Sequence, residues 1–285
     1  MKFVARGSQL DINRTLIMAV LNVTPDSFSD GGVYFEKNAA VKRGIQLQSL
    51  GADIIDIGGE STRPGAEPVS PAEEISRVVP VIRELKNSGI KALISADTYR
   101  SSTARAALDA GADIINDISG GTFDPDIMKT AAEYGAGYVI MHIKGSPKDM
   151  QKNAVYSTRG AAADISAYFS ERIKSAVDIG LKTENLILDP GIGFGKTLND
   201  NFDIIENLGL FRAFGMPVLI GTSRKSMIGE VTGTPPDGRI FGTAATVALA
   251  VEKGADIVRV HDVKEMKQAA DMAFAFANYL HEVAR

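Results

Sequence analysis

The chain has 285 residues, of which 45% are hydrophobic and 23% are charged, and its formal net charge is −4. This composition is typical of a globular protein with a hydrophobic core, and it excludes a general attraction to nucleic acids or anionic membranes. The absence of cysteine excludes disulfides, thiolate metal sites and a cysteine nucleophile. Because no segment resembles a signal peptide or a membrane span, we expect a cytoplasmic protein.

The first segment, Lys2–Asn13, predicts a small hairpin with its turn near Arg6. We expect this hairpin to cover the N-terminal end of the fold that follows. Two long polar loops come next, over residues 24–37 and 61–70. Long loops on a compact scaffold usually serve function.

A short phrase recurs along the chain as GADIID at Gly51, GADIIN at Gly111 and GADIVR at Gly254, with a looser copy, GAGYVIMH, at Gly135. Each copy follows a segment with helical character, and its glycine suits the end of a helix. The continuous apolar run after the glycine indicates a strand that is buried on both faces. The phrase therefore predicts a repeated helix–turn–strand unit.

Further apolar runs complete a set of eight predicted strands. They are Leu16–Leu21, Asp53–Ile57, Ala92–Ser95, Asp113–Ile118, Tyr138–Met141, Leu186–Leu188, Val218–Ile220 and Asp256–Val260. An open doubly wound sheet would show the same alternation of strands and helices. The strand number, the length and the lack of a composition break favour an α/β fold with one domain over residues 1–285, a (β/α)8 TIM barrel.

Polar residues follow every predicted strand, at the barrel end where active sites lie. They are Asn22, the segment 56–65, Asp97, Asn116, Asp117, His142, Asp189, the segment 221–226, Arg259, His261 and Asp262. Each has a structural alternative, because Asn22 could stabilise a turn, Asp97 and Asp262 could cap helices, and Asp117 could bind a loop amide. The histidines could be ordinary core residues.

These side chains divide by charge into two groups. Arg63, Arg224, Lys225 and Arg259 are cations that suit a phosphate or diphosphate. Asp97, Asn116 and Asp189 are acceptors that suit a flat heterocycle with amino and ring N–H donors. The two groups predict one ligand with a polar ring and an anionic tail.

The stretch LDPGIGFGKT, residues 188–197, ends like a phosphate-binding P-loop. Pro190 stands where the first glycine of that motif belongs, which argues against nucleotide binding. We expect Asp189 to carry the chemistry here, the glycines to let the backbone pass close to a ring, and Lys196 and Thr197 to matter least.

Six motifs together carry a family resemblance. They are NVTPDSFSDGG, GGESTRPG, NDISGG, DPGIGFGK, GTSRKS and RVHD, which begin at residues 22, 58, 116, 189, 221 and 259. In this order and spacing the chain resembles the dihydropteroate synthases of bacterial type. The resemblance implies a transferase that joins 6-hydroxymethyl-7,8-dihydropterin diphosphate to 4-aminobenzoate in folate biosynthesis, with Mg2+ as cofactor and a homodimer as assembly.

The resemblance also implies roles for individual residues. The pterin would contact Asp97, Asn116, Asp189 and Lys225; the diphosphate would contact Asn22, Thr62, Arg63, Arg259 and His261; 4-aminobenzoate would contact Thr62, Pro64, Phe194 and Ser226. Asn22 would bind the metal, and Lys225, Arg259, His261 and Asp97 would form the catalytic set.

Two other functions share the same barrel and pocket. A pterin-dependent methyltransferase domain would not need the anionic end, and a non-catalytic pterin-binding module would be expected to have lost it. The retained segments Ser61–Pro64 and Arg259–His261 argue against both. For the synthase, we expect a dissociative, SN1-like displacement of pyrophosphate by the amine.

Overall fold

The computed structural model describes residues 1–24, 32–61, 67–150 and 154–283. Two strands form an N-terminal hairpin, β1 (Lys2–Ala5) and β2 (Ser8–Asp11). Eight further strands are parallel: β3 (Leu16–Asn22), β4 (Ile54–Gly58), β5 (Leu93–Asp97), β6 (Ile114–Asp117), β7 (Gly137–Met141), β8 (Leu186–Asp189), β9 (Leu219–Ile220) and β10 (Ile257–Val260). Within the described ranges no helix is both long and apolar enough to cross a membrane.

The parallel strands close into a barrel, with the order β8-β7-β6-β5-β4-β3-β10-β9. A parallel bridge between Leu188 and Val218 joins the two ends of this order. The predicted TIM barrel with its N-terminal hairpin is confirmed. The predicted starts at Asp53, Asp113 and Asp256 lie one residue before the observed strands.

Helices surround the barrel in the order expected for repeated βα units. They are α1 (Gly32–Ser49), α2 (Pro71–Asn87), α3 (Ser101–Asp109), α4 (Asp126–Glu133), α5 (Ala161–Ile179), α6 (Leu198–Glu206), α7 (Leu208–Arg212), α8 (Ser226–Thr232), α9 (Ile240–Glu252) and α10 (Val263–Val283). The main hydrophobic core lies between the strands and these helices.

The recurring Gly-Ala-Asp phrase has a structural reason at both ends. Its glycines, Gly51, Gly111 and Gly254, have φ of +105°, +109° and +109°, which ends each helix in a backbone conformation that favours glycine. Its aspartates accept backbone N–H groups at the start of a neighbouring strand. These bonds join Asp53 to Ile17, Asp113 to Ile94 and Asp256 to Val218, at 2.9, 2.8 and 3.1 Å. The phrase therefore stabilises the N-terminal ends of the strands.

The hairpin covers that same end of the barrel, as predicted. Arg6 and Gly7 both have positive φ, 50° and 80°, as a tight hairpin turn requires. Phe3 and Ala5 are buried in a second apolar cluster, formed with inward-facing residues near the start of each parallel strand. The Arg6 side chain donates to the carbonyl oxygens of Leu108 and Ala112 at 2.8 and 2.9 Å, which holds the turn in place.

The looser fourth copy of the phrase is where the hairpin packs. Gly137 stands in the position that the other copies give to aspartate. A Cβ added at Gly137 would lie 2.4 Å from Phe3 Cζ, so the aromatic ring occupies the space of a side chain. Gly135 accepts a backbone bond from Arg6 at 2.7 Å. The departure from the repeat thus accommodates the hairpin.

This packing predicts a specific energetic coupling. Gly137→Ala should lower the free energy of unfolding by about 1–3 kcal/mol through overpacking, and Phe3→Ala by about 3–5 kcal/mol through a cavity. The double variant should lose less than the sum, because the alanine methyl enters the vacated space. Urea denaturation followed by circular dichroism measures all three. Gly209→Ala is the control, since its Cβ would meet nothing within 4 Å; strict additivity would contradict the coupling.

Candidate active site

Several predicted site residues line one cavity at the C-terminal end of the barrel. About 370 Å³ of this region is free of protein atoms, part of it open to solvent, and its floor and walls come from strand ends and the loops after β8 and β9. The lining residues are Asp97, Asn116, Ile118, Met141, Asp189, Gly191, Ile192, Phe194, Gly221, Lys225 and Arg259. The structure therefore brings six predicted site residues to one cavity, while their roles stay predictions. They are Asp97, Asn116, Asp189, Phe194, Lys225 and Arg259.

Arg259 occupies the centre of the buried charges. It lies on β10 and points into the barrel, where its Nε donates to Asp56 Oδ2 at 2.6 Å and its Nη2 donates to Asp97 Oδ2 at 2.7 Å. Asn116 Nδ2 donates to the same oxygen of Asp56 at 3.0 Å. Asp97 is thus a partner of Arg259 and not a helix cap, because α3 begins at Ser101.

Some buried acceptors at this level have no hydrogen-bond partner among the described residues. They are Asp56 Oδ1, Asn116 Oδ1 and Ser95 Oγ, each from a strand of the barrel. Buried polar atoms without a protein partner normally bind water or a ligand. Of these residues Asn116 lines the cavity, so its Oδ1 is the acceptor that could receive a donor from a ligand there.

The two carboxyl groups that line the cavity have raised pKa values, which favour their protonated forms. Burial raises the pKa of Asp97 to about 7, against the opposing effect of Arg259. Burial also raises the pKa of Asp189 to about 6, although a bond from the Gly191 N–H and the charge of Lys225 oppose the change. Asp189 Oδ1 accepts that N–H at 2.7 Å. Perturbed acids in a cavity are a mark of functional sites.

Lys225 and Phe194 form the opposite wall. Lys225 Nζ lies 4.1 Å from the centre of the Phe194 ring, within the range of a cation–π contact. Burial and the nearby Arg259 lower the pKa of Lys225 to about 8. Lys225 therefore offers a cationic donor beside an aromatic surface.

The loop after β8 is packed against the loop after β7. Gly191 and Gly195 have φ of +70° and +66°, and a Cβ on them would lie 2.1 Å from His142 O and 2.5 Å from Lys144 O. These glycines are thus required by close backbone packing at residues 142–144. That these glycines also let the backbone pass close to a bound ring stays a prediction; Gly191 does line the cavity.

Lys196 is buried and does not serve a nucleotide. Its Nζ lies 3.1 Å from His142 Nδ1, 3.2 Å from His142 O and 3.0 Å from Phe194 O. Thr197 caps α6 by accepting the N–H of Asp200 at 3.2 Å. The lysine therefore faces the protein, which argues against the P-loop alternative. Lys196 and Thr197 do not line the cavity, but both have structural bonds that the sequence did not predict.

One of the predicted phosphate-binding cations is already engaged. Arg224 Nη2 and Nε donate to the two carboxylate oxygens of Asp262 at 2.6 and 3.0 Å. Arg224 also has φ of +58°, a conformation that is uncommon for a residue with a side chain. The pair joins the loops after β9 and β10 and sets the turn that precedes Lys225.

His261 lies beside the cavity lining and bonds to the neighbouring loop. Its Nδ1 lies 2.9 Å from Ser223 Oγ. Burial, reinforced by Arg259, lowers the pKa of His261 to about 4, so the ring is neutral near pH 7. A neutral imidazole can still donate one N–H to an anion.

Two described residues that were predicted for the site, Asn22 and Ser226, are not among the residues that line the cavity. Asn22 ends β3, and its Oδ1 and the Oδ2 of Asp97 lie 3.8 and 3.6 Å from the point that a Cβ on Gly58 would occupy. Ser226 is exposed at the first position of α8. Thr62, Arg63 and Pro64 lie outside the described residues.

Two strand-end residues have structural roles. Asp117 accepts from Ser119 N and Ser119 Oγ at 2.8 Å, from Gly121 N at 2.6 Å and from the Tyr138 hydroxyl at 2.5 Å. The alternative of a loop-amide partner is confirmed for Asp117. His142 is also buried, which fits the core alternative.

The sequence assigned no partner to Asp56, which binds Arg259, and did not single out Ser95, which pairs with Asp56 in the register of β4 and β5. Both are fully buried within strands, in the segments IIDIG and LISAD. A polar residue in the middle of an otherwise apolar strand was the available signal, because a strand alternates its faces and one face of a barrel strand points inward.

Comparison with known proteins supports one family. A family described as pterin binding enzyme matches residues 18–261. The dihydropteroate synthase of Bacillus subtilis is 48% identical over 266 residues, covering 93% of this chain and 90% of that protein. The Synechocystis enzyme is 46% identical over 263 residues, covering 92% and 90%.

Solved structures agree with these relatives. A Yersinia pestis dihydropteroate synthase in a sulfonamide drug complex superimposes with a TM-score of 0.90 at 41% identity, covering 98% of this chain and 100% of that one. The Xanthomonas albilineans enzyme with 4-aminobenzoic acid gives 0.88 at 39%, covering 96% and 97%, and its complex with 7,8-dihydropteroate gives 0.86 at 36%, covering 97% and 98%. The chain therefore belongs to the dihydropteroate synthases, within the pterin binding enzymes.

Proposed function

We propose that this protein joins a 7,8-dihydropterin diphosphate to 4-aminobenzoate, forming 7,8-dihydropteroate and pyrophosphate. The observation that carries the proposal is the cavity in which Asp97, Asn116 and Asp189 face Lys225. Carboxylate and amide oxygens accept the amino and ring N–H groups of a pterin, while the ammonium donates to a ring acceptor. The Xanthomonas albilineans complexes with 4-aminobenzoic acid and 7,8-dihydropteroate support both ends of the reaction.

The position of each group suggests how the two substrates meet. The pterin edge lies against the acceptors on β5, β6 and β8, with the stem of Lys225 beside its face. The Phe194 ring at the cavity wall offers an aromatic surface for 4-aminobenzoate. His261, next to Arg259, donates an N–H towards the diphosphate.

The displacement breaks the bond between the methylene carbon and the diphosphate oxygen and forms a bond between that carbon and the amine nitrogen. The electron-rich ring stabilises positive charge on the methylene carbon, so we expect a dissociative, SN1-like path. The arylamine attacks in its neutral form and then loses one proton to solvent, so no strong general base is needed. The protein's part is to orient both substrates and to neutralise the leaving group.

Mg2+ would fit Asn22, at the end of β3. Its Oδ1 is a hard oxygen ligand, whereas Asp97 Oδ2, which lies beside the same Gly58, already accepts from Arg259. The described residues contain no group of three acidic or histidine side chains that could hold a metal. A site with one protein ligand suits Mg2+, which takes its other ligands from water and substrate phosphates. When bound, Mg2+ would neutralise charge on the diphosphate.

Pyrophosphate release tests this function directly. With both substrates and Mg2+, the protein should release pyrophosphate, and removing Mg2+ with EDTA should reduce the rate at least tenfold. Exchange of the bridging oxygen of the diphosphate without 4-aminobenzoate would support the dissociative path. Pterin binding without any pyrophosphate release would instead favour a methyltransferase domain or a binding module.

Asp189→Asn should separate binding from folding. The amide keeps an oxygen for the Gly191 N–H but presents a donor to the pterin, so affinity for a pterin without phosphate should fall by about 10- to 150-fold. The parent protein should lose affinity as pH falls below about 6, where Asp189 takes up its proton. Isothermal titration calorimetry across pH 5–8 measures both effects. The variant should lack the loss of affinity centred near pH 6, while any loss near pH 7 that comes from Asp97 should remain.

Asp189→Asn should lower pterin affinity without lowering the free energy of unfolding. Because the pKa of Asp189 is raised in the folded protein, its ionised form costs stability, and this cost grows from about pH 4 and is complete above about pH 6. The free energy of unfolding at pH 7 should therefore be unchanged or higher by up to about 3 kcal/mol. Asp200→Asn, on the helix after the same loop, should leave pterin affinity unchanged; unaltered affinity in Asp189→Asn would remove Asp189 from the site.

We also propose that the protein forms a homodimer through α9 and α10. Phe241 and Leu249 are exposed at a helical spacing on α9, with Phe241 85% exposed. Met272, Phe276 and Tyr279 are exposed on α10, which packs against α9. Large exposed apolar side chains on adjacent helices are typical of a surface that a second copy covers.

Phe241→Glu should make the protein monomeric. Two glutamates would be buried in a symmetric interface, so the mass measured by light scattering should fall from that of two chains to that of one. Val177→Glu, on α5, is a control with a similar change on another helix. A parent protein that is monomeric at micromolar concentration would contradict the proposal.

A further inference from the structure

One buried cation near the cavity has no part in the chemistry proposed above. Lys196 is 4% exposed and belongs to the stretch that resembles a P-loop. Burial lowers the pKa of Lys196 to about 7, while the charge of Asp189 opposes the change. A buried lysine of this kind costs stability, so its bonds require an explanation beyond packing.

The three partners of Lys196 match the three donors of an ammonium group. Two of them are carbonyl oxygens, from His142 and Phe194, at 3.2 and 3.0 Å. The third is the Nδ1 of His142, at 3.1 Å. Burial, followed by the charge of Lys196, lowers the pKa of His142 to about 2, so its ring is neutral and its Nδ1 can accept. Lys196 therefore selects the tautomer that carries its proton on Nε2.

These bonds join the loop after β8 to the end of β7. Tyr156 adds a second link, because its hydroxyl donates to the Gly195 carbonyl at 3.0 Å. The His142 ring is itself held by an edge contact with Tyr168, with ring centres 4.9 Å apart. The His142 ring that binds Lys196 is therefore itself held in place by packing against Tyr168.

The anchored loop supplies the cavity wall. Gly191, Ile192 and Phe194 line the cavity, and the Phe194 ring contacts Lys225 Nζ. Lys196 binds the carbonyl oxygen of Phe194 itself, two residues away. Holding this peptide group in place sets the backbone position from which the Phe194 side chain extends. The Phe194 ring in turn limits where the Lys225 ammonium can lie.

We propose that Lys196 is a positioning residue that holds Phe194 in place as the wall for the second substrate. This inference rests on the proposed function, because it assigns the Phe194 surface to 4-aminobenzoate. Two acceptors for the pterin edge, Asp97 and Asn116, lie on β5 and β6. The third, Asp189, ends β8 and accepts from the Gly191 N–H, so strands and the first residues of the loop hold it, ahead of the part that Lys196 binds. Loss of Lys196 should therefore affect 4-aminobenzoate more than the pterin, since a loose wall must be ordered when that substrate binds.

Lys196→Met tests the proposal, because methionine keeps much of the length of the side chain but donates no hydrogen bond. We expect the KM for 4-aminobenzoate to rise at least tenfold and kcat to fall at least threefold, with the Kd for a pterin without phosphate within threefold of the parent value. Lys182→Met is the control with the same change. Lys182 lies just before β8 at the other end of the barrel, and its exposed Nζ lies 3.8 Å from a carboxylate oxygen of Glu184, so its loss should leave both constants within twofold.

A spectroscopic measurement reports the anchor without turnover. The chain has only three histidines, so 15N-labelled histidine gives a simple spectrum. In the parent protein His142 should show a neutral ring with its proton on Nε2 from pH 5 to 8. In Lys196→Met, Nδ1 loses its donor, and we expect a mixture of tautomers or a measurable titration.

Each outcome decides the proposal. A less stable Lys196→Met with KM values within twofold of the parent, or with pterin affinity lost to the same extent, would overturn it. If Lys196→Met does not fold, Lys196→Gln replaces it, because glutamine is shorter but retains two donors. This variant must also raise the KM for 4-aminobenzoate more than the Kd for the pterin. If it does not, the positioning role is overturned. A parent protein that releases no pyrophosphate would overturn the proposed function, while the His142 spectrum would still test the Lys196 anchor.

Discussion

The ion pairs of Arg259 are the interaction on which the site depends. One guanidinium binds two carboxylates, Asp56 and Asp97, inside the barrel, and Asp56 also accepts from Asn116. Removing charges from water is costly, and such a group persists only where several hydrogen bonds compensate. Because these residues come from β4, β5, β6 and β10, the cluster requires a closed barrel that brings all four strands to one axis.

The two ends of the barrel divide stability and function between them. At the N-terminal end, the hairpin and the inward apolar side chains form a dry core, and the repeated aspartates bind strand N–H groups. At the C-terminal end, the same inward positions carry carboxylates, an amide and cations with altered pKa values. Stabilisation at the first end offsets the cost of unsatisfied acceptors such as Asn116 Oδ1 at the second.

The repeats and the strand ends made most of this arrangement predictable. Asp97, Asn116, Asp189 and Arg259 could be placed on one rim because parallel barrel strands end together. Asp56 could not be assigned, since its role arises from contact with Arg259, which is 203 residues away in the chain. The bonds of Lys196 and the pairing of Arg224 with Asp262 likewise depend on which loops become neighbours, and residue type alone does not contain that information.

Most of the described cations near the cavity are already paired with carboxylates, which affects how the charge of a diphosphate would be neutralised. Of the four cations expected to bind phosphate, Arg224 is bound to Asp262, Arg259 is bound to Asp56 and Asp97, and Arg63 lies outside the described residues. Around the cavity, Asp56, Asp97 and Asp189 carry three negative charges when ionised, against two positive charges on Arg259 and Lys225.

The described part of the cavity is therefore not an anion site by charge, and a diphosphate entering it would meet carboxylates as well as cations. The raised pKa of Asp97, caused first by burial, lets this carboxyl take up a proton near neutral pH and lose part of that repulsion. The Mg2+ that the family resemblance implies at Asn22 would lower the same repulsion from the substrate side.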